Sequence, residues 1–398
     1  MDPIYLDCNA TTPVAPCAMR AVLDAMHACG NASSAHNAGR AAAARVAEAR
    51  AAVAALLGPA CDPGDVVFTS GATEANNLAL LGVIAGARAR GIARPHVLAG
   101  AAEHSSVLAP LKRAASRGEI DFEEVPTRDG GAVRVGCVAR RLRPETVLLS
   151  VQGANNEVGS INDLRALGAL CGARGVLLHA DLCQSFGRVP VPLEALDSAA
   201  MSAHKVYGPT GVGALWARPA VWEFVEPLML GGGQEGGRRA GTINTHGIAG
   251  FGAACREMAR TWDHGRGVEA QRLRDLRDLV LATLREELGE AAVHVNGRID
   301  PPRTLGGGET ATLRLPHNLN VTLLGVPGAA FHDLARERVC VSAGSACKAL
   351  GGERSHVLDA VNAPRDGAVV RIGLGACNDR PEVEAAARYL AECARRAR

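Results

Sequence analysis

Met201-Ser202-Ala203-His204-Lys205-Val206-Tyr207-Gly208-Pro209 sets one lysine among small and hydroxyl residues, after an apolar strand and before a Gly-Pro turn. A lysine is costly to bury as a cation. In such company it either snorkels to solvent or is held for chemistry as an amine or Schiff base. Upstream, Val176-Leu177-Leu178-His179-Ala180-Asp181 reads as an apolar strand ending in a carboxylate, and a second apolar strand leads from there to Lys205. A lone aspartate in that place reads more readily as a helix cap or loop carboxylate.

A third segment changes the balance. Phe68-Thr69-Ser70-Gly71-Ala72-Thr73-Glu74 follows the apolar Val66-Val67 and precedes a helical run from Ala75 to Ile84. Small and hydroxyl residues at a strand-to-helix turn direct backbone N–H groups and the helix dipole at an anion. Phosphate cup, carboxylate and lysine, in that order, are the requirements of pyridoxal phosphate. Its pyridinium nitrogen needs a carboxylate and its aldehyde carbon a lysine.

With these segments in place the chain resembles a cysteine desulfurase of fold-type I, from the class V aminotransferase group that includes NifS-like enzymes and selenocysteine lyases. The resemblance is nearly full-length. It runs from Tyr5-Leu6-Asp7-Cys8-Asn9-Ala10-Thr11-Thr12-Pro13 through Gly30-Asn31-Ala32-Ser33-Ser34, Glu103-His104 and Asn155-Asn156-Glu157-Val158-Gly159. Arg238-Arg239-Ala240-Gly241-Thr242 and Ser342-Ala343-Gly344-Ser345-Ala346-Cys347 complete it.

Composition agrees. A chain of 398 residues with 47% hydrophobic content buries a large core and suggests two or more domains. The net charge of +2 gives no reason to expect nucleic acid or an anionic membrane surface as partner. The start lacks a basic region followed by a long apolar run, and no stretch approaches a membrane span, so a cytoplasmic enzyme is expected. The 12 cysteines show neither CxxC pairs nor Cys/His metal spacing, and most read as small buried hydrophobes. No metal site is expected.

Strand candidates at Val66 to Thr69, His96 to Ala99, Thr146 to Val151, Gly175 to His179 and Val212 to Trp216 alternate with helical patterns, including Ala41 to Leu57. That alternation predicts an α/β fold with a mostly parallel sheet covered by helices. A long helical pattern from Ile248 to Leu288, strands Val293 to Val295 and Leu319 to Leu323, and a last helix from Glu382 to Arg395 follow. The resemblance implies a large cofactor domain with a seven-stranded sheet over residues 15–250. A smaller α+β domain takes residues 1–14 and 251–398 and carries the cysteine loop. Gly231 to Gly237 reads as a flexible loop or, by similarity, as a segment near a homodimer interface.

The resemblance also implies roles. Lys205 holds the cofactor and moves protons at the substrate's α-carbon, Asp181 pairs with the ring nitrogen, His104 stacks on the ring, and Gln184 donates to the phenolate oxygen. Thr73, Ser202 and His204 match phosphate ligands, and Thr242 would reach the phosphate of the partner subunit. Asn155 and Arg371 would bind the substrate carboxylate, which an arginine fork matches bidentately. The other reading of Arg371, in the apolar Val369-Val370-Arg371-Ile372, is an internal ion pair. Cys347, among small residues, would take sulfur from L-cysteine as a persulfide, leave L-alanine, and pass the sulfur to a protein or small-molecule acceptor.

Departures from the family pattern cluster near this pocket: Gln152-Gly153-Ala154, Thr210, Gly236, and Gly373 and Ala376 where a serine and an arginine are usual. Cys8 is a further thiol in a segment where aromatic or small polar residues are usual, and reads as a packing substitution. Two alternatives stand beside the desulfurase: a selenocysteine lyase or lyase on a related amino acid, and a weakly active scaffold in a sulfur-transfer complex.

Overall fold

The structure, a computed structural model, describes residues 3–128, 130–263, 267–299, 313–343 and 354–398. Seven strands form the central sheet: β1 (Val66–Thr69), β2 (His96–Gly100), β3 (Asp121–Val125), β4 (Thr146–Ser150), β5 (Leu177–Asp181), β6 (Ser198–Ser202) and β7 (Gly213–Ala217). Their order across the sheet is β1-β7-β6-β5-β4-β2-β3. Only β7 runs against the others, pairing antiparallel with both β1 and β6. β1, β2, β6 and β7 are buried along their whole length. Such continuous apolar runs are what a sheet covered on both faces requires.

Helices cover those faces. α1 (Pro16–His27) and α2 (Asn37–Leu57) pack on α6 (Thr245–Trp262), while α3 (Ala72–Ala89) lies against β6 and β7 and beside α4 (Ser105–Ser116); α5 is Leu164–Gly172. α2 begins four residues earlier than its alanine run suggests, because the His36 side chain caps it, accepting from the Gly39 N–H at 3.2 Å. The helical pattern from Ile248 to Leu288 is two helices. α6 stops at Asp263, whose φ of 40° is left-handed, and α7 (Val268–Leu288) starts afresh. A left-handed residue ends the hydrogen-bond ladder whatever the hydrophobic period beyond it.

A second sheet of three antiparallel strands, β8 (Val293–Val295), β9 (Asn318–Leu324) and β10 (Gly367–Gly373), stands with α7, α8 (Gly328–Ala335) and α9 (Arg380–Ala397). The chain start joins this part. Ile4–Tyr5 pairs in parallel with Val339–Cys340, and Asp7 bridges to Gly373. The strand β10 therefore holds the N-terminal segment beside the carboxyl ends of the central strands. Among the described residues no helix is long and apolar enough to cross a membrane.

Candidate active site

Five parallel strands end at one place. A cavity of about 380 Å³ opens there, where ligands of open α/β sheets bind. Thr73 reaches it from the turn after β1, His104 from the turn after β2, Asp181 from the end of β5, and Ser202, His204 and Lys205 from the end of β6. Gln184 and Arg371 complete the wall. Arg371 is the contribution of β10, from the other sheet.

Lys205 is held, not snorkelling. Its Nζ donates to the carbonyls of Asn9 and Ala10, each at 2.7 Å. Burial, with the charges of Arg371 and Arg188, pushes its pKa down to about 8, against the opposing pull of Cys183 and Asp181. An amine so placed is part neutral near physiological pH, as a lysine base must be. Asn9 is itself clamped. Its amide donates to Gln184 Oε1 and its carbonyl accepts from Gln184 Nε2, both at 3.0 Å.

Asp181 is 6% exposed. One oxygen accepts from the Cys183 N–H at 2.9 Å, the other from Asn76 Nδ2 at 2.8 Å. Asn76 also donates to Ser106 Oγ at 2.8 Å, and Ser106 Oγ lies 2.8 Å from His104 Nδ1. Both Asn76 amide hydrogens are thereby used. Its oxygen must accept from His179 Nε2, 2.9 Å away, and His179 Nδ1 then accepts from Ser198 Oγ at 2.9 Å. His104 Nδ1 accepts from the Ser106 hydroxyl and from the Ser106 N–H at 3.1 Å, which leaves the ring proton on Nε2. Burial lowers the pKa of both rings, that of His179 to about 4, so both are neutral. One chain of hydrogen bonds thus ties the Asp181 carboxylate, the His104 imidazole and the core of the sheet. Asn76 sits one turn into α3 and Ser106 two residues past His104. Nothing in the sequence but that adjacency marks them.

His204 carries an imidazole whose pKa burial and Lys205 lower to about 4, with Nδ1 3.1 Å from Thr11 Oγ1. α3 begins just after Gly71, and among the described residues no side chain caps it. Its open N–H groups face the cavity lined by Thr73, Ser202 and His204, a ready anion site. A Cβ on Gly213 would stand 2.6 Å from the backbone of Gly71, so that cup closes only over a glycine.

Arg371, 1% exposed, meets the carboxylate of Asp7 at 2.7 Å and Ser342 Oγ at 3.2 Å. The internal ion pair is therefore real, yet it does not exhaust the guanidinium. Among the described residues Nε has no partner and Nη1 only a 3.4 Å contact with the Asn156 carbonyl. Asn155 does not join the cavity wall. Its Nδ2 donates to the Ala102 carbonyl at 3.1 Å and its Oδ1 accepts from the N–H groups of Glu157 and Val158, so the backbone of its own turn claims it. Gln152 and Asn156 line the cavity in its place. Thr242 is exposed and lies off the cavity wall of its own chain. Cys347 falls outside the described residues. Behind the wall, Glu103 is buried with Oε1 accepting from the Gln152 N–H at 2.8 Å and Oε2 unpartnered, and burial raises its pKa well above the carboxylate range.

Gly231 to Gly237 is docked, not loose. Glu235 accepts from Arg50 at 2.7 Å and from the Phe68 N–H at 2.7 Å, while Arg239 pairs with Glu74 at 2.7 Å. Gly236 has a φ of 66°, a conformation that an arginine there would adopt only with strain.

An uncapped helix terminus beside hydroxyls, a half-buried amine and a buried carboxylate in one cavity fit pyridoxal phosphate, so fold and site define a fold-type I pyridoxal phosphate enzyme. The family model described as aminotransferase class-V matches residues 4–386, and the chain belongs to that pyridoxal-phosphate-dependent family. It is 40% identical to a protein named cysteine desulfurase from Frankia sp. (strain EuIK1), covering 99% of this chain and 92% of that one. To a cysteine desulfurase IscS of Stutzerimonas stutzeri (strain A1501) it is 37% identical, over 98% and 92%. A solved structure titled NifS-like protein superposes with a TM-score of 0.84 at 29% identity, covering 98% of both chains.

Proposed function

We propose that the chain is a cysteine desulfurase, converting L-cysteine to L-alanine and passing the sulfur to Cys347 as a persulfide and then to a protein or small-molecule acceptor. The observation that carries this reading is one cavity that unites Lys205, Asp181 and His104 with an arginine whose Nε is unsatisfied. Relatives named cysteine desulfurase support it.

Arg371 takes the substrate carboxylate with the donors that Asp7 and Ser342 leave open. Asp181 would hold the ring nitrogen, Gln184 the phenolate oxygen, and Thr73, Ser202 and His204 the phosphate, while neutral His104 would stack on the ring. When bound, pyridoxal phosphate supplies the sink for the electrons left at the substrate's α-carbon. Lys205 takes the α-proton and later returns one. The Cys347 thiolate attacks the substrate sulfur. An S–S bond forms, the Cβ–S bond breaks with its electron pair staying on Cβ, and a proton completes the methyl group of alanine.

The same reading makes the protein a cytoplasmic homodimer. α1 exposes Met19, Leu23 and Met26 in one stripe, and Leu230 is 83% exposed beside the docked glycine segment. Such apolar area suits a second copy, which would bring Thr242 to the phosphate of its partner. A large unit over residues 15–250 and a small one of 1–14 and 251–398 are proposed with it, the helix α6 crossing their join.

Incubation with L-cysteine and dithiothreitol tests the reading. Equimolar alanine and sulfide are expected, with neither in Lys205→Ala and no sulfide in Cys347→Ala. L-selenocysteine run alongside decides between desulfurase and selenocysteine lyase. Sulfide release at the wild-type rate in Cys347→Ala removes the persulfide step, and no turnover of either amino acid leaves the scaffold reading.

A further inference from the structure

Behind the active-site lysine stands a buried cation that the mechanism does not use. Arg188, in the turn after β5 that also carries Gln184, is 0% exposed. Its Nη2 donates to the Lys205 carbonyl and its Nη1 meets His317 Nε2, both at 2.6 Å. A guanidinium only donates, so His317 Nε2 accepts and the ring proton sits on Nδ1. Burial, with the charges of Arg188 and Arg277, holds the pKa of that ring well below its usual value, so it is neutral. The Trp262 ring closes the pocket, its centroid 5.5 Å from the guanidinium carbon and 5.8 Å from the imidazole. The other groups that face Arg188 are the Tyr207 phenol, whose pKa burial pushes up to about 12, and the buried Cys8 thiol. Among the described residues no carboxylate bonds this arginine, and its Nε is buried without a partner. A cation sealed from water without an anion is costly, and the face of a tryptophan returns only part of that cost.

Both arms of the fork bear on one side chain. Nη2 fixes the main chain of Lys205. The other arm reaches Asn9 through His317: Asn9 Nδ2 lies 3.4 Å from the same imidazole nitrogen, and the Asn9 carbonyl accepts from Lys205 Nζ at 2.7 Å. The charge bears on it as well. Around Lys205, burial and the cations Arg371 and Arg188 disfavour the charged amine, Cys183 and Asp181 favour it, and His104 and His204 are neutral rings. Arg371 is paired with Asp7 and, in the proposed function, receives the substrate carboxylate as well. Arg188 has no such anion, so it is the cation that keeps acting on the amine while substrate is bound.

We propose that Arg188 is the positioning residue of Lys205: its fork holds the lysine's carbonyl and, through His317, the Asn9 segment, and its uncompensated charge keeps the amine ready to take a proton. The inference rests on Lys205 as the lysine that serves the cofactor and the α-carbon. Substitution separates charge from fork. Arg188→Gln removes the charge, whereas Arg188→Lys keeps it on a single ammonium that cannot span both acceptors.

The chain has three lysines, Lys112, Lys205 and Lys348, so chemical labelling resolves each of them. Full-length apo-protein is pulsed with dinitrofluorobenzene between about pH 6 and pH 11 and digested. Mass spectrometry then quantifies the labelled Lys205 peptide against that of Lys112, whose side chain is 57% exposed. The Lys205 midpoint is expected to rise by about one pH unit in Arg188→Gln and to stand at the wild-type value in Arg188→Lys. In the cofactor-loaded protein with L-cysteine, the acid limb of kcat moves up with the midpoint in Arg188→Gln. Arg188→Lys keeps the wild-type limb and loses about threefold or more in kcat, with KM within about threefold in both variants. A midpoint unchanged in Arg188→Gln, a midpoint raised in Arg188→Lys, or wild-type kcat in Arg188→Lys overturns the proposal. Should Arg188→Gln not fold, Arg188→Lys decides alone by its midpoint and kcat. The labelling needs no turnover, so it reads Arg188 whichever amino acid is the substrate. Cofactor fixed by borohydride on Lys112 or Lys348 in place of Lys205 removes the reading on which this rests, a result distinct from any labelling midpoint.

Discussion

Arg371 and Asp7, 364 positions apart in sequence, form a 2.7 Å ion pair, and Ser342 Oγ bonds the other Asp7 oxygen at 2.7 Å. The arginine expected to bind substrate thus already owns a carboxylate. Asp7 fixes the fork and leaves part of it open, so a substrate carboxylate bound there, as proposed, would share one guanidinium with Asp7.

Asp7→Asn removes that charge and keeps the shape. We expect KM for L-cysteine to rise about tenfold, the loss of one charge-assisted contact, with kcat within about threefold. Folding stability drops by about 1–3 kcal/mol, less than for a fully buried pair because the Asp7 side chain is 16% exposed. Steady-state kinetics and urea denaturation measure the two. A KM that falls instead identifies Asp7 as a competitor for the arginine, not its positioner.

Asn76→Asp places a second carboxylate where an amide now donates to Asp181 at 2.8 Å. Like charges at that range raise the pKa of one of the pair, so Asp181 holds the pyridinium less well. The expected result is at least a tenfold weaker affinity for pyridoxal phosphate titrated into the apo-protein, with the two hydrogen bonds toward Ser106 and His179 disturbed as well. An unchanged affinity means that the Cys183 N–H alone keeps Asp181 in place.

His179 sets an acid limit on stability. Its folded pKa of about 4 lies below the ordinary 6.5, so between those values the unfolded chain binds the proton and the folded one does not. Stability is present above pH 6.5 and is lost as pH falls toward 4. Between pH 7 and pH 5 this one ring takes away about 2 kcal/mol of apo-protein stability. Denaturant midpoints at the two pH values check it, and His179→Gln is expected to start less stable at pH 7 yet fall less on acidification.

Gly373→Ser introduces the serine that the family resemblance leads one to expect there, and we expect it to harm this protein. A Cβ there would stand 2.3 Å from Asn9 Oδ1 and 2.6 Å from the Asn9 backbone nitrogen. Overpacking of this kind costs about 1–3 kcal/mol. It also displaces the Asn9 carbonyl from Lys205, so activity should fall together with the denaturation midpoint. Wild-type values for both would show that the Asn9 segment yields without strain.

The cofactor half of the site was legible because each of its residues follows a strand that announces itself. Lys205, Asp181, Thr73 and His104 stand directly after apolar runs, and a parallel sheet brings the carboxyl ends of such runs to one edge. Asn155 stands off the cavity wall for the converse reason. Its neighbours suit a site, but a short polar side chain in a turn satisfies its own backbone first, and the sequence does not say which demand prevails. The helical period from Ile248 to Leu288 hid a break at Asp263, since periodicity reports burial and not the one residue whose φ changes sign.

By itself, then, the sequence determined the α/β class, the strand ends that bring a lysine and a carboxylate together, and the family, because these rest on local patterns and on the order of motifs. Only the tertiary structure decided that Asp7 holds Arg371, that Asn76 ties Asp181 to Ser106 and His179, and that the Asn9 and Ala10 carbonyls hold Lys205. Unlike the local Ser106–His104 contact, those pairings join residues tens to hundreds of positions apart, and hydrogen bonds acting over about 3 Å are settled by where the folded backbone places them.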